Sequence, residues 1–296
     1  MLSNQQQQQS KPPSSSNFWL PSILGAFSGL LMESCLHPLD TIRTRMKTNT
    51  THYVPLLTQM KDMYRQEGIR GYFRGQSCTL VGSFVCNGFY FFTYEHLKAF
   101  FRERNLLGAY SSPFVAAFFG GFACDLMYLP FDIVRVRMQL EPGEYHYKNV
   151  FNGLNEMWKH EGFSSVFRNC GPVYFAFSAV QTSLTFGFYE LISRILRPLI
   201  HDNHEVNLPL AIISSVSAAS LSSLISNPLD LLVTRKQSLK YEIGTLELIR
   251  NIYKTEGLKG FMKGATGTIS YYAVASVIMF PTYEILKNMF HVDLNE

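Results

Sequence analysis

One ten-residue pattern occurs three times in this chain, and it restricts the possible folds more than any other feature. Residues 37–46 read HPLDTIRTRM, residues 129–138 read LPFDIVRVRM, and residues 227–236 read NPLDLLVTRK. Their prolines, Pro38, Pro130 and Pro228, lie 92 and 98 residues apart (130 − 38 and 228 − 130). A second, unlike pattern follows each copy: EGIRGYFRG at 67–75, EGFSSVFRN at 161–169 and EGLKGFMKG at 256–264. Two motifs recurring in one order at one period define a triplicated unit. The chain therefore divides into a low-complexity tail, 1–16, and three repeats, 17–108, 109–203 and 204–296. The glutamine- and serine-rich tail is expected to be disordered in isolation.

The charges show what medium the repeats occupy. Charged residues make up 16 % of the chain, against ~25 % in soluble proteins. Six runs carry no Asp, Glu, Lys or Arg: 12–32, 75–94, 105–124, 169–189, 206–229 and 264–283. A helix of ~20 residues crosses the ~30 Å hydrocarbon core of a bilayer. Two runs per repeat predict an all-α membrane protein of six transmembrane helices in three tandem, pseudo-threefold repeats. A soluble helix would show a charged face within two turns. The near-zero mean hydropathy, +0.02, comes from the polar segments between spans. Within a repeat these connections are long and basic, with amphipathic pieces such as LLTQMKDMYRQ (56–66) and VFNGLNEMWKH (150–160). They are expected to lie flat on one membrane face.

Proline and charge at a span end have a joint physical reading. A helix-interior proline removes a backbone hydrogen bond and bends the helix. Three equivalent bends would bring three helix ends towards one axis. Asp40 and Arg43 could form a local i,i+3 pair worth only ~0.2–0.5 kcal/mol. Alternatively, each aspartate meets an arginine of the neighbouring repeat and closes one end of a central cavity, where intramembrane charge is tolerated.

Pro-x-Asp/Glu-x-x-Lys/Arg-x-Lys/Arg, followed by Asp/Glu-Gly-x-x-x-x-aromatic-Lys/Arg-Gly, resembles the mitochondrial carrier family over about 17–290. The resemblance implies three short surface helices on the matrix side, multi-pass residence in the mitochondrial inner membrane, and alternating-access transport of a small solute. It also implies membrane lipid, cardiolipin included, as a partner, and no cleaved leader. Carried over position by position, the matrix gate comprises Asp40, Arg43, Asp132, Arg135 and Asp230, braced by Gln139 and Gln237. Two positions depart: Val233 stands where a cation is expected, and Lys47 where a glutamine is. By the family's pairing order, Asp132 should be left alone. The cytoplasmic gate maps to Tyr94, Glu95 and Lys98, to Tyr189 and Glu190, and to Tyr283, Glu284 and Lys287. Ser193 replaces its middle cation, with Arg194 one place out of phase. Smaller departures are Asn169 and Met262 in the second pattern.

The resemblance puts solute recognition midway along the even spans, near Gly82 and Ser83, Phe177 and Ser178, and Tyr271 and Tyr272. No cation is among them, which disfavours di- and tricarboxylates and nucleotides. Two acids stand out from the residues themselves. Glu33 and Asp125 each lie seven residues, nearly two turns, before a gate aspartate and share its face; Ser223 is the third equivalent. Paired intramembrane carboxylates fit a cationic or zwitterionic solute or proton coupling; the alternative is a satisfied helix carboxylate. Five cysteines without C-x-x-C spacing are expected to be small buried residues. The histidines lack metal-ligand spacing, and His37 alone lies beside a gate, where a local role is expected. Gly25 and Gly29 suit close packing within the monomer. No phosphate loop or nucleophile motif is present, so neither a cofactor nor an enzyme is implied. The net charge of +4 suits membrane-facing loops, and no basic-aromatic cluster points to nucleic acid. Two functions follow: a carrier of a small cationic, zwitterionic or neutral solute, or a carrier fold retained as a structural subunit of a larger inner-membrane respiratory complex.

Overall fold

The computed structural model describes residues 19–50, 53–104, 111–140, 145, 147–196 and 208–289, with side chains from residue 30 of the first helix to residue 278 of the last. The tail reading for 1–16 lies outside them, as does the packing of Gly25 and Gly29. The described residues are helical, without strands. Six long helices are α1 (Trp19–Thr48), α4 (Gln76–Glu103), α5 (Ser111–Gln139), α7 (Phe163–Leu196), α8 (Leu208–Ser238) and α10 (Ala265–Met289). The amphipathic connections form α2 (Leu56–Glu67), α6 (Val150–Glu161) and α9 (Thr245–Gly260), and α3 (Ile69–Tyr72) is a single turn. Pro38, Pro130 and Pro228 sit inside α1, α5 and α8.

The long helices form a closed ring. Helix α4 packs on α5, α7 on α8 and α10 on both α8 and α1, so the last span seals against the first. Polarity is distributed inside-out relative to a soluble protein. Asp40, Lys47, Gln139 and Gln237 are buried, while Phe84 is 76 % and Phe118 71 % exposed. A rim of exposed aromatics around buried charge suits lipid outside and a polar axis within. Windows in α5 and α8 reach mean hydropathies of 1.4 and 1.3.

Each second pattern ends a surface helix. Gly68, Gly162 and Gly257 have φ of 64°, 76° and 68° with extended ψ, a region essentially confined to glycine. The preceding glutamates then meet the second cation of the first pattern: Glu67 pairs with Arg45, Glu161 with Arg137 and Glu256 with Arg235. Each arginine also crosses to the next repeat. Arg45 Nε donates to the Gln139 carbonyl at 2.7 Å, Arg137 Nε to Gln237 at 2.9 Å and Arg235 Nε to Lys47 at 2.9 Å. Those carbonyls belong to the last turns of α5, α8 and α1, where backbone acceptors lack helical partners.

The repeats differ at one turn. Gly75 and Gly264 have φ of 80° and 77° and close a short turn before α4 and α10. Carbonyls freed at these turns are bound by the residue before each proline. The His37 Nε2 hydrogen-bonds the Arg74 carbonyl at 2.9 Å, and Asn227 Nδ2 donates to the Phe261 carbonyl at 2.9 Å. This is the local role expected for His37. In the middle repeat Asn169 replaces the glycine, α7 runs unbroken through it, and the pre-proline residue is the fully buried Leu129.

Burial pushes the Glu67 and Glu256 carboxyls up, but hydrogen bonds and charge from Arg45 and Arg74, and from Arg235 and Lys263, leave both below the ordinary carboxylate range. Their contribution to stability is complete above the unfolded value of ~4.3 and is lost as pH falls through the lower folded value. The thermal midpoint of purified protein should therefore drop below about pH 4. Glu67→Gln and Glu256→Gln should each lower the midpoint at neutral pH and flatten that acid limb.

Candidate functional site

The first pattern delivers three aspartates to one end of the axis. Asp40 on α1 accepts from Arg135 Nη1 of α5 at 2.6 Å, from its own repeat's Arg43 Nε at 2.8 Å and from Gln139 Nε2 at 2.8 Å. Arg135 turns its second Nη to Asp132, which also accepts from Gln237 Nε2 of α8 at 2.7 Å. Asp132 is therefore not left alone, contrary to the pairing order. The guanidinium fork of Arg135 is wide enough to hold one carboxylate on each arm.

Asp230 departs from the expected order too. Its partner is Lys47 rather than Arg43, and the Lys47 side chain is 1 % exposed. Lys47 occupies in the first repeat the position that Gln139 and Gln237 occupy in the others, and like them it reaches the aspartate of the preceding repeat around the ring. Lys47, one turn beyond Arg43 in α1, thus restores the cation count that Val233 leaves short, while Asp132 shares Arg135. Arg43, released from Asp230, lies 4.0 Å above the Tyr271 ring and 5.6 Å from that of Tyr272, a cation–π arrangement. Three acids, Asp40, Asp132 and Asp230, thus face three cations, Arg43, Lys47 and Arg135. Position 47 carried the signal in the sequence, as a lysine aligned with two glutamines.

The far end differs. Lys98 Nζ sits 5.3 Å from the Tyr94 ring centre. Glu190 pairs with Arg194 in its own helix, both well exposed, so the out-of-phase arginine serves locally. Glu95 and Tyr189 join no pair between repeats among the described residues, and the side chains of Tyr283, Glu284 and Lys287 lie outside them. Among the described residues, charge closes the ring only at the end that carries α2, α6 and α9.

Above the aspartates lies a cavity of about 230 Å³, whose walls include Phe177, Tyr271 and Tyr272 beside the charged cluster. A smaller one of about 40 Å³ joins Glu33 to Asp40, Arg135 and His37. The acids and serines singled out separately in the sequence meet in pairs. Ser83 Oγ donates to Glu33 Oε2 at 2.6 Å, and Ser178 Oγ donates to Asp125 Oδ2 at 2.6 Å. Ser223, the third equivalent, donates to the Ser220 carbonyl at 2.9 Å. Gly82 serves packing: a Cβ there would stand 2.9 Å from the Phe131 Cβ of α5.

The cysteine reading needs correction. Cys78 and Cys170 are free and buried, but Cys35 is exposed and Cys86 is disulfide-bonded to Cys124, with Cα atoms 4.7 Å apart. A pair on different helices, 38 residues apart, leaves no local spacing to read.

A closed ring of six helices with ion pairs across one mouth defines a threefold membrane transporter. The chain belongs to the mitochondrial carrier family: the family model described as "Mitochondrial carrier protein" matches residues 14–105, 109–198 and 204–294. It is 26 % identical over 289 residues to mitochondrial substrate carrier family protein E of Dictyostelium discoideum, covering 90 % of this chain and 95 % of that one. It is 27 % identical to the mitochondrial nicotinamide adenine dinucleotide transporter 1 of Saccharomyces cerevisiae, covering 92 % of this chain and 78 % of the relative. Identity to the mitochondrial dicarboxylate carrier of Caenorhabditis elegans is 28 %, over 90 % of this chain and 92 % of the relative. The six long helices are the family's transmembrane helices, and α2, α6 and α9 its matrix-side surface helices.

Lys47→Met leaves Asp230 without its cation and should cost ~3–5 kcal/mol, read as a lower thermal midpoint of the purified protein. Lys47→Gln combined with Asp230→Asn should recover most of that loss.

Proposed function

We propose that this carrier works in the mitochondrial inner membrane and moves a small cationic or zwitterionic solute by alternating access, with neutral solutes ahead of di- and tricarboxylates or nucleotides. The carrying observation is a charge balance. The three cations of the cluster are engaged by Asp40, Asp132 and Asp230. Glu33 and Asp125 then remain, each held by a serine and in no ion pair among the described residues. Two such carboxylates favour a positive group at the solute level. The relatives named for nicotinamide adenine dinucleotide and for dicarboxylates handle anions. Positions 82–83, 177–178 and 271–272 of this chain offer no lysine or arginine for one.

In this reading the ion pairs between repeats form the matrix gate. Solute enters from the opposite end, neutralises Glu33 and Asp125, and reaches the matrix when the pairs part. Gate closure by exchangeable ion pairs is reversible, since water can take the place of either partner when a pair parts. Membrane lipid, cardiolipin among it, would seal the outer surface.

Uptake by purified protein in liposomes against basic amino acids, amines, neutral amino acids, dicarboxylates and nucleotides tests the proposal. Cations or zwitterions should exchange, and Glu33→Gln or Asp125→Asn should cut their initial rate about tenfold, the equivalent of ~1.4 kcal/mol. Exchange of dicarboxylates or nucleotides alone would overturn it. No exchange at all, with stoichiometric co-purification in a respiratory complex, would favour the structural-subunit reading.

A further inference from the structure

The disulfide between Cys86 and Cys124 joins α4 of the first repeat to α5 of the second. Its place in the threefold pattern gives it meaning. Ser83 and Ser178 are equivalent, as are Glu33, Asp125 and Ser223, because the same serine–carboxylate bond recurs. Counting from those positions, Cys86 corresponds to Gln181 and Cys124 to Ser222. At the boundary between the second and third repeats these two residues also meet: Gln181 Nε2 donates to Ser222 Oγ at 3.3 Å. At the remaining boundary the equivalent positions are Ala275 and Met32. One locus on the inter-repeat seam thus carries a covalent bond, a hydrogen bond and an apolar pair.

We infer that Cys86 and Cys124 form a redox-modifiable site that ties the first repeat to the second at the solute level. Cys124 immediately precedes Asp125, and Cys86 lies one turn beyond Ser83. The Cα separation of 4.7 Å falls within the ~4.4–6.8 Å that a disulfide bridges without backbone movement. Disulfides are uncommon where glutathione keeps thiols reduced, so a pair on a seam between repeats works as a switch, whereas a structural staple belongs to oxidising compartments. Hydrogen peroxide is the class of oxidant small enough to reach a half-buried thiol within the helix ring. The thiolate of one cysteine attacks the peroxide oxygen, giving a sulfenic acid and one water; the second thiol displaces the sulfenic oxygen as a second water and closes the S–S bond. Two equivalents of glutathione reverse it, releasing glutathione disulfide. Oxidised, α4 and α5 cannot separate beside Asp125; reduced, no covalent bond ties them there. The redox assignment does not depend on which solute the cavity takes, although its use in controlling transport rests on the carrier reading.

Maleimide labelling of denatured protein decides the chemistry. Protein purified without reductant and treated with hydrogen peroxide should show three reactive thiols, Cys35, Cys78 and Cys170, and five after reduction, with a Cys86–Cys124 peptide recovered by mass spectrometry. Reduction should also lower the thermal midpoint by several degrees and raise amide exchange in 76–103 and 111–139. A Cys86→Gln, Cys124→Ser variant copies the hydrogen-bonded seam of the other boundary, and its midpoint should not respond to reductant. Five reactive thiols after peroxide, or an equal response of that variant to reductant, would overturn the inference. Absence of transport would leave the thiol count unchanged and count only against the carrier reading.

Discussion

The arginine that closes each first pattern holds this fold together. Arg45, Arg137 and Arg235 each grip the glutamate that ends their own repeat's surface helix and the last carbonyls of the next repeat's odd helix. One planar side chain with five donors satisfies an acid and a frayed helix end together. Because the third arginine reaches back to Lys47 of the first repeat, the interaction is cyclic. The second pattern's cations reinforce it: Arg74 Nε donates to the Met138 carbonyl at 3.0 Å, and Lys263 Nζ to the Asn49 carbonyl at 3.0 Å. A ring built this way exposes its apolar side chains outward, because its polar groups are consumed along the axis.

Much of this was legible in the residues. Recurrence alone established three units, and uncharged runs established six spans. The proline, acid and base left open a local pair or one between repeats, and Asp40 makes both, with Arg43 and with Arg135. What stayed hidden depended on choices among near neighbours. An aspartate at the ring's centre has several cations within reach, and linear order does not say which takes it. Lys47 wins Asp230 because it lies on the adjoining helix at the height where glutamines brace the other two. Gly82 was indistinguishable from a solute contact until Phe131 was seen to press on it. The cysteine pair was illegible for the same reason as the arginine grips: its partners are close only after the ring closes.

The charge distribution has two tiers. At the mouth, acids and bases match in number and are shared, so the cluster holds little net field. One to two turns above, Glu33 and Asp125 stand on serines, with aromatic faces of Phe177, Tyr271 and Tyr272 nearby. In the proposed reading, a gate neutral in itself does not compete for a charged passenger, and the upper tier sets the sign of what enters.

The join between surface helix and span differs in the middle repeat and makes the ring asymmetric. A short turn before α4 and another before α10 provide two points at which a span can swivel against its surface helix, each steadied by His37 or Asn227. The middle repeat has traded its glycine for Asn169, its anchoring polar residue for Leu129, and its turn for one long helix from Phe163 to Leu196 that carries Pro172 inside it. Although drawn with threefold symmetry, the ring places the bends of its middle repeat at Gly162 and Pro172 instead of at the turn the other two share.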